Sequence, residues 1–293
     1  MSAEIVRPLF GVVGSPIGHS KSPLLHRAAY AALGFDAEYD VTEVGSGGLG
    51  GYLSSSPAHR RGVSVTMPLK TEAWLASSTR DRAAELTGAV NTLVGSVSDG
   101  LHTPRGANTD VGGIVGAVRG AGRPEARDVL VVGAGATAAS AVVAASDLGA
   151  RRLTIAARSA ERAAGVAGLA RSLGLETTVV GLEGAATVSA DLVVSTLPGG
   201  ADVPEPALAS FGEGALLLDV AYSPWPSAFV TAGLQGGAVV VHGLSMLVHQ
   251  AARQVRLFAA VEDATWKDVG EHVTVAMFDA VGMPASGIVT ALD

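Results

Sequence analysis

Short runs of consecutive apolar residues alternate with longer segments whose apolar positions recur at helical spacing, almost throughout the chain. The runs LFGVVG, AEYDVTEV, GVSVTM, VLVVG, RLTIAA, DLVVST, ALLLDVA and AVVVHG read as strands. Between them PLLHRAAYAALG, VGGIVGAVRGAG, ATAASAVVAASDLGA and SAERAAGVAGLARSLG read as helices, the last two closing at glycine. Strands that are apolar at consecutive positions need cover on both faces, and intervening helices supply it. The pattern therefore predicts an α/β protein built on parallel sheets. No fixed-period repeat is present.

The helix VGGIVGAVRGAGRPEAR fades into a Gly, Pro and charged stretch before VLVVG, where a fresh βαβ unit begins. After Gly243 two helical patterns follow, LSMLVHQAARQVRLF and TWKDVGEHVTVAMFDAVG, with no strand between them. These changes predict a first α/β domain over 1–107, a second domain with a doubly wound parallel sheet over 108–243, and C-terminal helices over 244–293 that return to the first.

Composition narrows the chemistry. The 293 residues include no cysteine, which removes disulfides, thiol nucleophiles and thiolate metal sites, and fits a reducing, cytoplasmic compartment. A net charge of -7 opposes a nucleic-acid surface, yet local donors can still hold a small anionic substrate. The N-terminal MSAEIVRPLFGVVG lacks the pattern of a signal peptide. The uncharged stretch Val129–Ser146 is rich in Gly, Ala and Ser and reads as a strand entering a turn, so it is not expected to span a membrane. Lysine is scarce: only Lys21, Lys70 and Lys267. Unlike the arginines that carry most of the positive charge, a lysine can give up or accept a proton near neutral pH when its surroundings tune it.

VVGAGATAAS fits the spacing G-x-G-x-x-A, with Gly133, Ala134, Gly135, Ala136, Thr137 and Ala138 between an apolar strand and a helix. The first glycine allows the tight turn, the second lets backbone approach a pyrophosphate, and the small third residue lets helix and strand pack closely. Amide N–H groups at the helix start then face the phosphates. In a chain with 38 glycines such spacings also arise in plain turns; the strand before and the helix after favour the dinucleotide reading. At the end of the next strand an NAD site would carry an acid for the ribose 2′-hydroxyl. TIAARSAER instead offers Arg158, Ser159 and Arg162, which suit the 2′-phosphate of NADP; two solvated arginines at a helix start are the alternative.

Four clusters in the first half remain. GSPIGHSKSP holds Ser20 and Ser22 before a helix, VTMPLK holds Thr66 and Lys70, GAVNTLV holds Asn91, and GANTDVGG holds Asp110. Each has an ordinary structural account: Ser20 or Ser22 as a helix N-cap, Asn91 as a turn residue, Asp110 as the cap of the following helix. In this order, and together with STLPGG, DVAYSPWPS and HGLSMLVHQA, they resemble the shikimate dehydrogenase family along essentially the whole chain.

The resemblance implies a substrate domain, a Rossmann-type NADP domain, C-terminal helices returning to the substrate domain, and the reversible reduction of 3-dehydroshikimate to shikimate in aromatic amino-acid biosynthesis. By position it implies that Ser20, Ser22 and Tyr222 hold the substrate carboxylate, and that Thr66, Asn91 and Gln250 read the ring hydroxyls. Gly243 and Met246 match residues beside the nicotinamide, and Lys70 and Asp110 match the catalytic pair. There the lysine stands by the oxygen that gains negative charge as hydride arrives, while the aspartate orients it and bonds a neighbouring hydroxyl. No metal is required, and a monomer or homodimer is expected. The chain departs from the family at Ala157, where an Asn commonly precedes the Arg, and at Ala136, where a Gly is common. The first bears on the strength of the NADP preference, not on its direction. Relatives acting on quinate with NAD, or on an amino-shikimate analogue, are the near alternatives; a non-catalytic NADP or shikimate sensor is the alternative of another class. Ser22 and Arg158 point away from the quinate enzyme, and the intact Lys70 and Asp110 point away from the sensor.

Overall fold

The computed structural model describes residues 6–203 and 214–290. The first five residues, part of the N-terminal segment read above, lie outside that range. The described chain divides into two compact units, residues 1–109 with 250–282 and residues 110–249 with 283–293.

The first unit is built on a six-stranded sheet in the order β2-β1-β3-β5-β6-β4. Its strands are β1 (Leu9–Gly14), β2 (Glu38–Glu43), β3 (Gly62–Val65), β4 (Thr79–Arg80), β5 (Thr92–Ser96) and β6 (Gly100–Ala107). Pairs β1–β2 and β1–β3 are parallel, as the apolar pattern predicts. β5 runs antiparallel to both β3 and β6, so this sheet is mixed. Its hairpin was not expected from the sequence, because SVSDGLHTP interrupts the apolar runs with turn residues. The helices here are α1 (Ser22–Leu33), α2 (Leu49–Ser55), α3 (Lys70–Ala76) and α4 (Arg82–Thr87).

The second unit carries a seven-stranded sheet from β7 (Asp128–Val132), β8 (Arg152–Ala156), β9 (Glu176–Val180), β10 (Leu192–Ser195), β11 (Leu216–Asp219), β12 (Val239–Val241) and β13 (Ile288–Val289). The six parallel strands lie in the order β12-β11-β10-β7-β8-β9, and β13 adds antiparallel to β12. The chain thus winds outward from β7 in one direction and then from β10 in the other, leaving a switch point between them. Helices α5 (Asp110–Gly120), α6 (Ala136–Asp147), α7 (Ala160–Ser172) and α8 (Ala228–Gln235) belong to this unit. The buried runs LVVS and LLLD in β10 and β11 explain why those strands read as uninterrupted apolar segments.

Two long helices complete the chain, α9 (Gly243–Phe258) and α10 (Asp263–Ala280). Residues 250–282 belong to the first unit, where α10 packs on α1. The end of α9 is seated by an aromatic contact: Phe258 stacks on Phe10 at 4.7 Å. Gly62 makes room for it, since a Cβ there would come within 2.5 Å of the Phe258 ring. The segment expected to return from 244 onward therefore divides: 244–249 and the residues after 282 group with the second unit, the latter because β13 finishes the edge beside β12. Among the described residues no helix is long and apolar enough to cross a membrane.

Candidate functional site

The first unit gathers Asn91 and Gln250 from positions far apart in sequence. Asn91 directly precedes β5 and is 2% exposed; Gln250, on α9, is 5% exposed. Asn91 Nδ2 donates to Gln250 Oε1 at 3.3 Å and to Thr109 Oγ1 at 2.9 Å. The Thr109 N–H and the Thr92 hydroxyl both donate to Asn91 Oδ1, at 2.9 and 2.8 Å, so the amide cannot flip without facing two donors with its own NH2. The Asn91 side chain does more than the ordinary turn role asks: it ties the start of β5 to Thr109, just after β6. Thr109 is the last residue before Asp110, which opens α5 and is 5% exposed, so the chain delivers Asp110 directly from this cluster.

Ser20 and Ser22 flank the start of α1. The helix is capped at Lys21 without a side-chain bond, and the Ser22 N–H donates to Ser20 Oγ at 3.3 Å. Ser20 thus serves the helix start from one residue further out than an N-cap does. Ser22 is buried and its hydroxyl meets the Tyr39 phenol. Thr66 and Lys70 bracket a cis Met67-Pro68 bond, after which Lys70 begins α3 and its carbonyl accepts the Val90 N–H at 3.0 Å. That bond joins the lysine's backbone to the residue before Asn91.

In the second unit the fingerprint lies after β7, at the switch point. Gly133 has φ 114°, and a Cβ there would come within 2.3 Å of Thr196 Oγ1. Gly135 caps α6, is exposed, and a Cβ built on it meets nothing within 4 Å. Ala138 is fully buried against the sheet, while Ala136 is exposed, so its methyl does not crowd the turn. An open, side-chain-free approach to a helix N-terminus fits a pyrophosphate, and the residues present fit NADP. Arg158 and Arg162 are exposed beside the end of β8; Ser159 caps α7 by accepting the Arg162 N–H at 3.3 Å. Gly243 opens α9 where a Cβ would come within 2.6 Å of Val220 O, and Met246 is buried one turn later.

Tyr222 is half-buried, and burial pushes its phenol up. Its loop is fixed by a residue to which the sequence reading gave no role: buried Asp219 accepts from the Ala221 N–H at 3.1 Å and from the Ser227 hydroxyl. Trp225 and His242 stack at 3.8 Å, and His242 Nδ1 accepts the Leu244 N–H at 3.0 Å, which fixes the start of α9. Burial lowers His242 to about 4, so it is neutral. Among the described residues no cluster of His, Cys, Asp and Glu could hold a metal ion.

Sequence reasoning also missed Tyr39, Ser64, Thr92, Thr109 and Gln254, which with His26 form one buried polar assembly in the first unit. One signal was available: Gln254 lies one helical turn after Gln250, so both occupy the same face of α9.

A sheet wound outward from a glycine turn, with an arginine in place of the NAD-type acid, joined in one chain to a unit bearing buried amides and a lysine at a helix start, defines a dinucleotide-dependent oxidoreductase. Known proteins then narrow the class. The family model described as the shikimate dehydrogenase substrate binding domain matches residues 12–93. A relative from Ignicoccus hospitalis named shikimate dehydrogenase (NADP(+)) is 33% identical, covering 92% of this chain and 99% of its own. The crystal structure of Mycobacterium tuberculosis shikimate dehydrogenase superposes with a TM-score of 0.77 at 34% identity, covering 92% of this chain and 99% of that one. The Thermus thermophilus enzyme, solved in complex with NADP(H) and shikimate, gives a TM-score of 0.77 at 28% identity, covering 93% and 99%. The chain belongs to the shikimate dehydrogenase family.

Proposed function

We propose that this protein interconverts 3-dehydroshikimate and shikimate with NADP, in the pathway to the aromatic amino acids. The observation that carries the reading is the convergence of Asn91, Thr109 and Gln250 in one buried cluster of amide and hydroxyl groups. Amide and hydroxyl groups held rigidly out of water suit a ring bearing several hydroxyls, which both donate and accept hydrogen bonds as these groups do. The relative solved with NADP(H) and shikimate supports the same substrate and cofactor.

In this reading the neutral hydroxyls of Ser20 and Ser22, with Tyr222, hold the carboxylate, while Thr66, Asn91 and Gln250 fix the ring. NADP, when bound, accepts or supplies the hydride. Lys70 and Asp110 are the catalytic pair. In the reductive direction the Lys70 ammonium gives a proton to the oxygen that gains negative charge, and in the oxidative direction the neutral Lys70 amine takes that proton back from the hydroxyl. The backbone at Gly133–Ala138 cradles the pyrophosphate, Gly243 and Met246 line the nicotinamide, and Arg158, Ser159 and Arg162 take the 2′-phosphate. A cytoplasmic location and a monomer or homodimer belong to the same proposal.

The test is an activity matrix: shikimate and quinate, each with NADP and NAD, followed by formation of reduced cofactor. Shikimate with NADP is expected to give the highest kcat/KM. Activity confined to quinate with NAD would overturn the reading, and binding without turnover in any combination would identify a sensor.

A further inference from the structure

Gln254 is 2% exposed, one turn beyond Gln250 on α9, and its amide makes four hydrogen bonds. Nε2 donates to the Asn91 carbonyl and to Thr92 Oγ1, each at 3.0 Å. Oε1 accepts from Ser64 Oγ at 2.8 Å and lies 3.2 Å from His26 Nε2. A backbone carbonyl can only accept, so the NH2 group must face Asn91, and the oxygen must face Ser64 and His26. His26 therefore carries its proton on Nε2 and accepts from the Tyr30 hydroxyl on Nδ1, 3.3 Å away.

The consequences propagate along a chain with one direction. Ser64 spends its proton on Gln254, so it accepts from the Tyr39 phenol at 2.8 Å. On the other side Thr92 accepts from Gln254, so its own proton goes to Asn91 Oδ1 at 2.8 Å. That last bond acts with the Thr109 N–H, which also donates to Asn91 Oδ1 at 2.9 Å, to hold the Asn91 NH2 group toward Gln250 Oε1. The same chain begins at Tyr39, which the Ser22 hydroxyl meets.

We propose that Gln254 is a positioning residue for substrate recognition: through Thr92 it orders the Asn91 amide that reads a ring hydroxyl, and through Ser64 and Tyr39 it ties that amide to the buried serine at the carboxylate end. This rests on the functional reading above. The two hydrogens and the oxygen of the Gln254 amide are all engaged by protein groups, so it acts through them.

The test compares Gln254→Met, which removes all four bonds at similar volume, with Thr92→Val, which deletes the two bonds of the Thr92 hydroxyl, from Gln254 and to Asn91, at nearly constant shape. The readouts are KM for shikimate and for NADP, kcat, and the shikimate dissociation constant by calorimetry. Loss of ordering by one or two buried hydrogen bonds is expected to raise shikimate KM and Kd about fivefold in Thr92→Val and about tenfold or more in Gln254→Met, with the NADP KM unchanged. A merely structural role would instead lower the active fraction and leave both KM values alone. Folded variants whose shikimate Kd stays within about twofold of wild type would overturn the proposal, that margin being under about 0.5 kcal/mol. Should Gln254→Met not fold, Thr92→Val decides alone. Wild-type protein inactive on shikimate would instead sink the functional reading, so the two failures are distinguishable.

Discussion

In the first unit the candidate residues Asn91 and Gln250 are almost wholly buried and hydrogen-bonded to further buried side chains, whereas in the second Arg158 and Arg162 are exposed and Gly135 contributes only backbone. The difference follows from what each would recognise. A small ring with several hydroxyls offers directional groups and little charge beyond one carboxylate, so fixed donors and acceptors in a dry site discriminate best. A dinucleotide offers phosphates, which amide N–H groups at a helix start and mobile cations can meet without a rigid side-chain frame. Changes to side chains should therefore be costly in the first unit, and changes to backbone shape in the second.

The hardest blow to that contrast comes from Lys70. If the ammonium acts on the reacting oxygen, Lys70→Ala should lower kcat by about 10²–10⁴-fold while changing shikimate KM much less, because its interaction grows in the transition state. Lys70→Arg should restore the charge but little of the rate, since guanidinium holds its proton at any working pH. Steady-state kinetics decides, and near-normal turnover in either variant would remove Lys70 from the chemistry.

The buried assembly should also show in acid. Burial pushes His26 down to about 3, against 6.5 for a free histidine, with the Gln254 bond offsetting part of the shift. Between those values the unfolded chain binds a proton that the folded chain refuses. The stability associated with neutral His26 is therefore complete above pH 6.5 and is lost as pH falls toward 3. Lowering the pH from about 7 to about 4.5 should cost wild type about 2–3 kcal/mol more than it costs His26→Gln, at roughly 1.4 kcal/mol per unit. Denaturant unfolding at the two pH values measures it; His242, lowered to about 4, is present in both proteins and cancels. Equal losses would mean that burial does not hold His26 neutral.

On the cofactor side the matching prediction concerns a backbone position. Gly133→Ala places a methyl at φ 114°, against Thr196 Oγ1. It should cost about 1–3 kcal/mol in strain and raise the NADP KM, leaving shikimate Kd unchanged. Thermal unfolding and cofactor titration read both effects. An unchanged NADP KM would show that the turn tolerates distortion and that backbone shape is not what binds there.

How far the sequence discloses these two regions differs in the same way. The apolar runs of β7, β8, β10, β11 and β12 and the glycine turn after β7 are legible because buried parallel strands and a phosphate turn leave contiguous patterns. β9, ETTVV, escapes notice because it lies at the sheet's edge with its residues mostly exposed. In the first unit the hairpin β5–β6 and the short helices α2, α3 and α4 have too few periodic positions to read. The candidate residues themselves were found through motif resemblance, but their buried support was not. A glutamine such as Gln254 on a helix ordinarily signals a solvated face, and only the partners brought by β3 and β5 convert it into a core residue. Local pattern reports periodicity, whereas a polar core is specified by which distant residues meet.

The smallest expected effect tests the cofactor side from its exposed edge. Arg158 is solvated at the end of β8, and Ser159 is already engaged as the cap of α7. An exposed arginine meeting a 2′-phosphate contributes a charge-assisted contact weakened by solvent and salt. Arg158→Ala should therefore reduce kcat/KM with NADP by about tenfold, leave NAD within about twofold, and leave shikimate KM unchanged, with the NADP loss shrinking as ionic strength rises. Ala157 in place of the family's Asn removes one polar neighbour from this edge, which keeps the expected ratio modest. Equal losses with both cofactors would show that Arg158 does not read the 2′-phosphate. A loss far above tenfold would show that the second unit, too, relies on a fixed side chain, and the contrast between the units would fail there.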